Sequence, residues 1–319
     1  METKINKDEL QPEILEILEY QPKEYTQEEL QERKQRLTLM SDRLFEVVFA
    51  NNKNNEIIEE IINAVRKIHE LPKIPQVENI IVQKATLDDL LGRKMTADLV
   101  GYSESLNITV EVQREKQEAF AVRAILSSSN VMKKGFEIGQ GYFQAPDVIG
   151  LNILGFRLPE LEQETSFCSR IVRANYDTGK LFLADKYSEY FIEMPKLPKT
   201  IQEVSEEYRN LWEICVVLKS QAKNYGEVMK TMSSAVAKEL IKEAQEALEN
   251  EHTLKDILSY EDKIKKIAET LAEKKAEGEA KGKASEAIKI AKNLLKEGVS
   301  IELIKRVTDL DEGTIKRLQ

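Results

Sequence analysis

The residues with the clearest potential for chemistry lie between Ala97 and Gln113. From Asn107 to Gln113 polar and apolar side chains alternate strictly, which is the period-two pattern of a half-buried strand. A second short strand is predicted from Ala97 to Tyr102, and the polar connection between the two strands is of hairpin length. If the hairpin folds symmetrically about that connection, Asp98 lies directly across from Glu111, with both carboxylates on one side of a sheet.

Two facing carboxylates are an unusual arrangement, because like charges on adjacent strands destabilise the pair. Two alternatives follow: the true register differs from the symmetric one, or the carboxylates hold a cation between them. Taken without any wider pattern, Asp98, Glu111 and Gln113 are better interpreted as the solvated face of an edge hairpin, since charged side chains are mostly exposed.

Composition limits the classes of protein that remain. The 319 residues are 41% hydrophobic and 32% charged, enough for one core of roughly 150 to 200 residues and an accessory region. The net charge is -9, so a nucleic-acid contact would have to come from a local basic patch.

Cysteine and histidine are too few and too widely spaced for most metal chemistry. Cys168 and Cys215 form no CxxC pair, and His69 and His252 are not spaced as helical ligands. A zinc site, a disulfide framework and HExxH metalloprotease chemistry are therefore not expected, and any catalytic metal would be bound by oxygen. No apolar run approaches the roughly 18 to 20 residues of a membrane span, and residues 1–18 lack the pattern of a signal peptide. We expect a cytoplasmic protein with no membrane segment.

The chain is predicted to contain four regions. Residues 1–36, rich in Glu, Gln and Lys, form a flexible or peripheral extension. Residues 37–219 alternate helical and strand patterns, which indicates an α/β domain. Residues 220–297 form a charged helical region, where Gly278 and Gly282 indicate either a break or a close helix contact. Residues 298–319 form two short amphipathic helices in the manner of a helix-turn-helix.

Within the α/β region, the apolar run at 147–156 predicts a central strand buried on both faces. Further strands are predicted at 166–174 and 190–194, and helices at 56–68, 117–134 and 201–217. The last of these helices carries Trp212, which we assign to the core.

This ordered series resembles the PD-(D/E)XK nuclease family transposases, also called recombination-promoting nucleases. The resemblance is carried by Asp98, by the strand that ends in Glu111-Val112-Gln113, by the helix with Phe120 and Arg123, and by residues 148–156. The helix with Asp42, Phe45 and Phe49 resembles the opening helix of that family, residues 191–196 its late strand, and residues 291–318 its closing segment. The similarity covers about residues 37–219 and the tail.

The resemblance implies a restriction-endonuclease-like core, with a mixed sheet flanked by helices, and an all-helical C-terminal region. It also implies a metal-dependent endonuclease that hydrolyses DNA phosphodiesters. Asp98, Glu111 and the backbone carbonyl of Val112 would bind Mg²⁺ or Mn²⁺. Gln113 stands where the general motif has lysine, so we assign it to orienting water or contacting phosphate, which leaves the general base unidentified.

Three further residues have two interpretations each. Asp42 could add a carboxylate to the site or cap the first helix. Arg123 could contact a phosphate or pair with a buried carboxylate. Lys94 could meet a DNA phosphate or remain a solvated surface lysine.

The expected partners are DNA and a second copy of the chain, in a homodimer or homo-oligomer, because cutting both strands requires two active sites. The family setting implies a role in DNA recombination, mobile elements or defence against foreign DNA. The alternative function is that of a non-catalytic DNA-binding or scaffold protein that retains the nuclease fold.

Overall fold

A computed structural model describes residues 23–49, 55–77, 79–82, 97–103, 105–117, 119–134 and 144–296, together with 305, 308, 310 and 312–318. Two compact units are present, one of residues 24–258 and one that includes residues 259–319. Lys94 lies outside the described residues.

The helices are α1 (Gln27–Arg36), α2 (Asp42–Phe49), α3 (Asn55–Ile68), α4 (Phe120–Lys134), α5 (Arg209–Lys219), α6 (Tyr225–Thr231), α7 (Ala235–Glu249), α8 (Glu251–Lys296) and α9 (Glu312–Lys316). The strands are β1 (Asn79–Val82), β2 (Leu99–Tyr102), β3 (Leu106–Gln113), β4 (Asp147–Leu154), β5 (Cys168–Ile171) and β6 (Tyr187–Glu193).

The strands form one mixed sheet in the order β1-β2-β3-β4-β6-β5. The pairs β1/β2, β2/β3 and β5/β6 are antiparallel, whereas β3/β4 and β4/β6 are parallel. Parallel neighbours require a crossover connection, and α4 with its flanking segments supplies the one between β3 and β4. The predicted mixed sheet flanked by helices is confirmed.

Strand β3 lies in the middle of the sheet, between β2 and β4. Both of its faces are buried up to Val112, and Glu111 is only 4% exposed. The interpretation of this hairpin as a half-buried or edge structure is wrong, because β4 pairs with β3 and α4 packs over its polar side. A buried polar side chain must find partners within the protein, so the polar residues of β3 need a specific explanation.

The apolar side of the sheet packs on a helical layer built from α2, α3, α5 and α7. Helix α2 forms because Leu44, Phe45, Val48 and Phe49 recur at three-and-four spacing, which gives it one continuous apolar face. The rings of Phe45 and Phe49 lie 4.2 Å apart between centroids. Trp212 is buried, as predicted, and its indole N–H donates to the Pro198 carbonyl at 2.9 Å.

The compact unit of residues 24–258 is larger than the predicted domain of residues 37–219. Leu30 of α1 is buried in the same core as the sheet, and so are Leu240 of α7 and Leu258 of α8. The Lys- and Glu-rich composition of these helices hides an apolar stripe, because only one side of each helix needs to be apolar to pack on the core.

Most element predictions agree with the structure to within a few residues. The helix predicted at 201–217 is an exception: α5 begins only at Arg209, because the preceding residues form two short 3-10 turns, at Ile201–Glu203 and Glu206–Tyr208. Strand β4 ends at Leu154, two residues before the predicted end, whereas β6 begins three residues before its predicted start. Helix α8 continues through positions 278 and 282, so the predicted alternative of a break is wrong. Within the described residues, no helix combines the length and the apolarity that crossing a membrane would require.

In the C-terminal unit, Ala291 of α8 and Ile315 of α9 are buried together. Leu295, Leu310 and Leu318 pack around them. This contact gives the tail a small apolar core of its own.

Candidate active site

The β2–β3 hairpin has the register that its loop length predicts. Leu99 pairs with Val110 and Tyr102 with Asn107, symmetrically about the connection. Continued by one residue beyond the end of β2, this register sets Asp98 opposite Glu111. The first alternative for the facing carboxylates, a misplaced register, is thereby removed.

Asp98 immediately precedes β2 and is half-buried. Its Oδ2 accepts a hydrogen bond of 2.7 Å from the backbone N–H of Val112, so its carboxylate is held against β3. Burial raises the pKa of Asp98 from 3.8 to about 7, against the lowering effect of the Val112 hydrogen bond. The carboxylates of Asp42 and Glu46 raise this pKa further.

Glu111 is bound by a side chain of α4. The guanidinium of Arg123 donates through Nη2 to Glu111 Oε1 and through Nη1 to Gln117 Oε1. Burial lowers the pKa of Arg123, while Asp98 and Asp42 oppose that change. Arg123 is thus paired with a buried carboxylate, while its contact with a phosphate stays a prediction.

Helix α2 brings further carboxylates towards the hairpin. Asp42 is its first residue, and Glu46, one turn later, is buried. Arg43 pairs with Glu46 at 2.7 Å and with Asp256 of α8 at the same distance. The effects of Asp42 and Glu46 on the pKa of Asp98 show that the three carboxylates share one electrostatic environment.

Gln113 ends β3 and is half-buried. Its backbone carbonyl accepts a hydrogen bond of 2.8 Å from the backbone N–H of Gly155. A Cβ on Gly155 would lie 2.4 Å from the carbonyl oxygen of Arg114, so glycine is required for β4 to end this close to β3. The amide of Gln113 is therefore placed on a tightly fixed stretch of backbone.

The donor chemistry of this site fits a hard divalent cation. Within the described part of the chain, no group of three or more His, Cys, Asp or Glu side chains is arranged to hold a metal ion. Mg²⁺ does not need such a group, since it keeps several waters and binds through one or two carboxylates. Asp98, Glu111 and the carbonyl of Val112 are oxygen donors of the required kind.

A buried polar network next to the site was missed by sequence reasoning. The register pairs Glu111 with Asn152 on β4, so these side chains are neighbours on the same face of the sheet. The amide of Asn152 donates to Glu189 Oε2 at 2.8 Å, and the hydroxyl of Tyr187 donates to Glu189 Oε1 at 2.7 Å. The only sequence signal was a single asparagine inside the apolar run at 147–156.

Glu189 is the centre of this network and is 1% exposed. Burial raises its pKa, whereas hydrogen bonds from Ser128, Tyr187 and Asn152 lower it. Its carboxylate lies over Gly150, where an added Cβ would be 2.0 Å from Oε2. Glycine at this position therefore makes room for the carboxylate above the middle of the sheet.

The comparisons with known proteins agree with this architecture. Residues 39–277 match the PD-(D/E)XK nuclease family transposases. Residues 284–319 match the C-terminal HTH domain of the Rpn/YhgA-like nuclease family. No curated protein and no solved structure matches the chain.

Proposed function

Since the chain belongs to the PD-(D/E)XK nuclease family transposases, we propose that it is a metal-dependent DNA endonuclease that hydrolyses phosphodiester bonds. The observation that carries this proposal is the pairing of Asp98 with Glu111 across the hairpin, with Glu111 on a buried central strand. Facing carboxylates repel each other, and the burial of Glu111 strengthens that repulsion. Arg123 pairs with Glu111 alone, whereas a divalent ion between the two carboxylates would stabilise both.

In this proposal Asp98, Glu111 and the carbonyl of Val112 hold Mg²⁺, or Mn²⁺ in its place. A divalent ion so bound lowers the pKa of a water molecule and stabilises charge on the phosphate. Burial raises the pKa of Asp98 to about 7, and a cation beside this carboxylate would oppose that effect and favour its charged form at neutral pH. Asp42 contributes negative potential from α2.

Gln113 orients the attacking water or contacts the phosphate. Its amide can donate and accept hydrogen bonds but cannot take up a proton at neutral pH, so Gln113 is not the general base. Its position at the end of β3, two residues after Glu111 and with a half-buried side chain, supports a role towards substrate.

We propose DNA as the substrate and a homodimer or homo-oligomer as the acting form, in the cytoplasm, with a role in recombination, mobile elements or defence against foreign DNA. The match of residues 284–319 to an HTH domain supports DNA as the partner. The net charge of -9 means that this contact depends on local basic side chains, for which Lys94 is a candidate.

The first test is cleavage of supercoiled plasmid in Mg²⁺. The wild type is expected to nick or linearise it. Removing a residue that only hydrogen-bonds to a metal ligand typically lowers activity by roughly 10- to 100-fold. Asp98→Ala and Glu111→Ala remove proposed ligands themselves, so their loss of cleavage activity is expected to be larger. Glu213→Gln is a matched control, since Glu213 is a buried carboxylate that accepts hydrogen bonds from Ser233 and Ser234 on the helical layer. Cleavage that survives both alanine substitutions would show that the site is elsewhere.

A second candidate function is that of a non-catalytic DNA-binding or scaffold protein. The match of residues 284–319 to an HTH domain is the observation that favours it, because the helical tail would then be the part that binds DNA. A gel-shift assay beside the plasmid assay separates the two functions. DNA that is retained but not cut with Mg²⁺ or Mn²⁺ would support the second.

A further inference from the structure

Arg123 already places a positive charge against the carboxylates of the proposed metal site. Its guanidinium is paired with Glu111 Oε1. It also lies close enough to Asp98 and Asp42 for both carboxylates to act on its pKa. The same side chain therefore interacts with three acidic groups: the proposed metal ligands Glu111 and Asp98, and the further candidate Asp42.

Arg123 and a divalent ion have overlapping requirements. Glu111 is almost fully enclosed, with 6% of its side chain exposed, so its carboxylate has few alternative positions. A metal ligand must present its oxygen to the ion, whereas Arg123 now occupies Oε1 with Nη2. A guanidinium and a divalent ion on one carboxylate would also repel each other, and the low dielectric of a buried site strengthens that repulsion.

Of the two partners, Arg123 is the one that is able to move. A third of its side chain is exposed, against 6% for Glu111. Its second hydrogen bond goes to Gln117, an exposed residue before the start of α4. The Arg123 guanidinium also lies 5.7 Å from the centroid of the Phe120 ring, so an aromatic surface remains available to it.

We propose that Arg123 is a placeholder cation: it neutralises Glu111 in the metal-free protein, gives up that carboxylate when a divalent ion binds, and then contacts a phosphate of the substrate. This inference rests on the proposed function of the same site. Planar donors and a permanent charge suit a guanidinium to both roles, since carboxylate and phosphate oxygens are recognised by the same fork of N–H groups.

The consequence is a negative coupling between Arg123 and the ion in the absence of DNA. Removing the guanidinium should strengthen metal binding on the order of 10-fold, within the range of about 5- to 150-fold typical of coupled sites. Removing it should also weaken productive DNA binding, because the phosphate contact is lost. A purely structural arginine would give the opposite sign for the metal, since its loss would loosen Glu111.

The test is a titration of the full chain with Mn²⁺. The affinity for Mn²⁺ is measured by calorimetry and, independently, from the electron paramagnetic resonance signal of the free ion. Arg123→Gln is expected to bind Mn²⁺ about 10-fold more tightly than the wild type. Arg123→Lys is expected to fall between them, because it keeps the charge but not the fork. Arg173→Gln is the matched control, since Arg173 is exposed and stacks on Tyr187; its Mn²⁺ affinity should equal that of the wild type.

Equal or weaker Mn²⁺ binding by folded Arg123→Gln overturns the placeholder role, even where the wild type cuts DNA and the proposed function stands. If Arg123→Gln does not fold without the ion, the rise in Tm on adding Mn²⁺ to Arg123→Lys decides. A larger rise than for the wild type supports the proposal, and an equal or smaller rise overturns it. If neither the wild type nor any variant binds Mn²⁺, the proposed function fails together with the inference.

Discussion

Without divalent ions, Asp98→Asn is expected to be more stable than the wild type at pH 8, by about 1 to 3 kcal/mol. Burial raises the pKa of Asp98 from 3.8 to about 7. A gap of about three pH units at about 1.4 kcal/mol each sets a ceiling of roughly 4 kcal/mol, which contact of this half-buried group with solvent reduces. Asparagine has nearly the same shape, keeps an acceptor for the Val112 N–H and carries no charge.

The sign follows from proton linkage. Between about pH 4 and pH 7 the folded wild type keeps the Asp98 proton that the unfolded chain has released, so the free energy of unfolding falls as the pH rises through this window. Above about pH 7 both states have lost the proton, and this contribution stays constant. Asp98→Asn has no carboxyl group at this position and lacks this pH-dependent loss of stability. The difference in the free energy of unfolding between the variant and the wild type should therefore be small at pH 4 and largest above pH 7.

Urea unfolding in EDTA at a series of pH values measures this difference. Asp177→Asn is the control, because Asp177 lies exposed in a turn, and its stability should stay within about 0.5 kcal/mol of the wild type. Addition of Mg²⁺ should reverse the ranking, because an ion that binds only the folded wild type stabilises that protein. An Asp98→Asn variant that is less stable than the wild type at pH 8 in EDTA would contradict the assignment.

Glu189→Ala is expected to destabilise the protein by roughly 3 to 5 kcal/mol. Burying the Glu189 carboxylate costs free energy in itself, but its removal costs more because buried donors depend on it. The substitution removes the carboxylate that accepts from Asn152, Tyr187 and Ser128. Only longer contacts of 3.2 Å would remain for two of these donors, from the Asn152 amide to the Tyr190 carbonyl and from the Tyr187 hydroxyl to the Ile125 carbonyl. Each unpaired donor costs about 1 to 3 kcal/mol, and the vacated volume adds to the loss.

Gly150→Ala should act through the same carboxylate. Its new Cβ would stand 2.0 Å from Glu189 Oε2, so the carboxylate would be pushed away from its donors, at a cost of about 2 kcal/mol or more. In the Glu189→Ala background this clash is absent, and the glycine substitution should cost at least about 1 kcal/mol less.

Urea unfolding of the two single variants and the double variant provides this comparison as a thermodynamic cycle. Gly226→Ala is the matched control, since a Cβ there meets nothing within 4 Å in helix α6; it should be neutral or slightly stabilising. Strictly additive losses in the double variant would show that Gly150 does not serve Glu189.

Local physics was enough to predict the hairpin. Alternation from Asn107 to Gln113 and the length of the connection define a register without any knowledge of distant residues, and the observed pairing of Leu99 with Val110 is the predicted one. The pairing of Asp98 with Glu111 follows from that register. The order of elements in the α/β region and the family resemblance could likewise be obtained from the chain alone.

Tertiary structure decided how that hairpin is used. Strand β4 comes from far along the chain and pairs in parallel with β3, and the alternating pattern of β3, unlike the apolar run of β4, did not indicate a central position. That pairing buries Glu111 and makes an internal cation necessary. The salt bridge from Arg123 and the network around Glu189 depend in the same way on the packing of α4 and β6 against β3 and β4.

The amino-acid sequence by itself therefore determined which carboxylates face each other, because strand periodicity and turn length are properties of neighbouring residues. Only the tertiary structure decided that this pair is enclosed, that Arg123 is its present partner and that the core extends to Leu258. Burial and long-range ion pairs arise from contacts between segments far apart in the chain. These contacts exclude water from the two acidic residues, and carboxylates without water favour a bound cation, which makes the pair a candidate metal site.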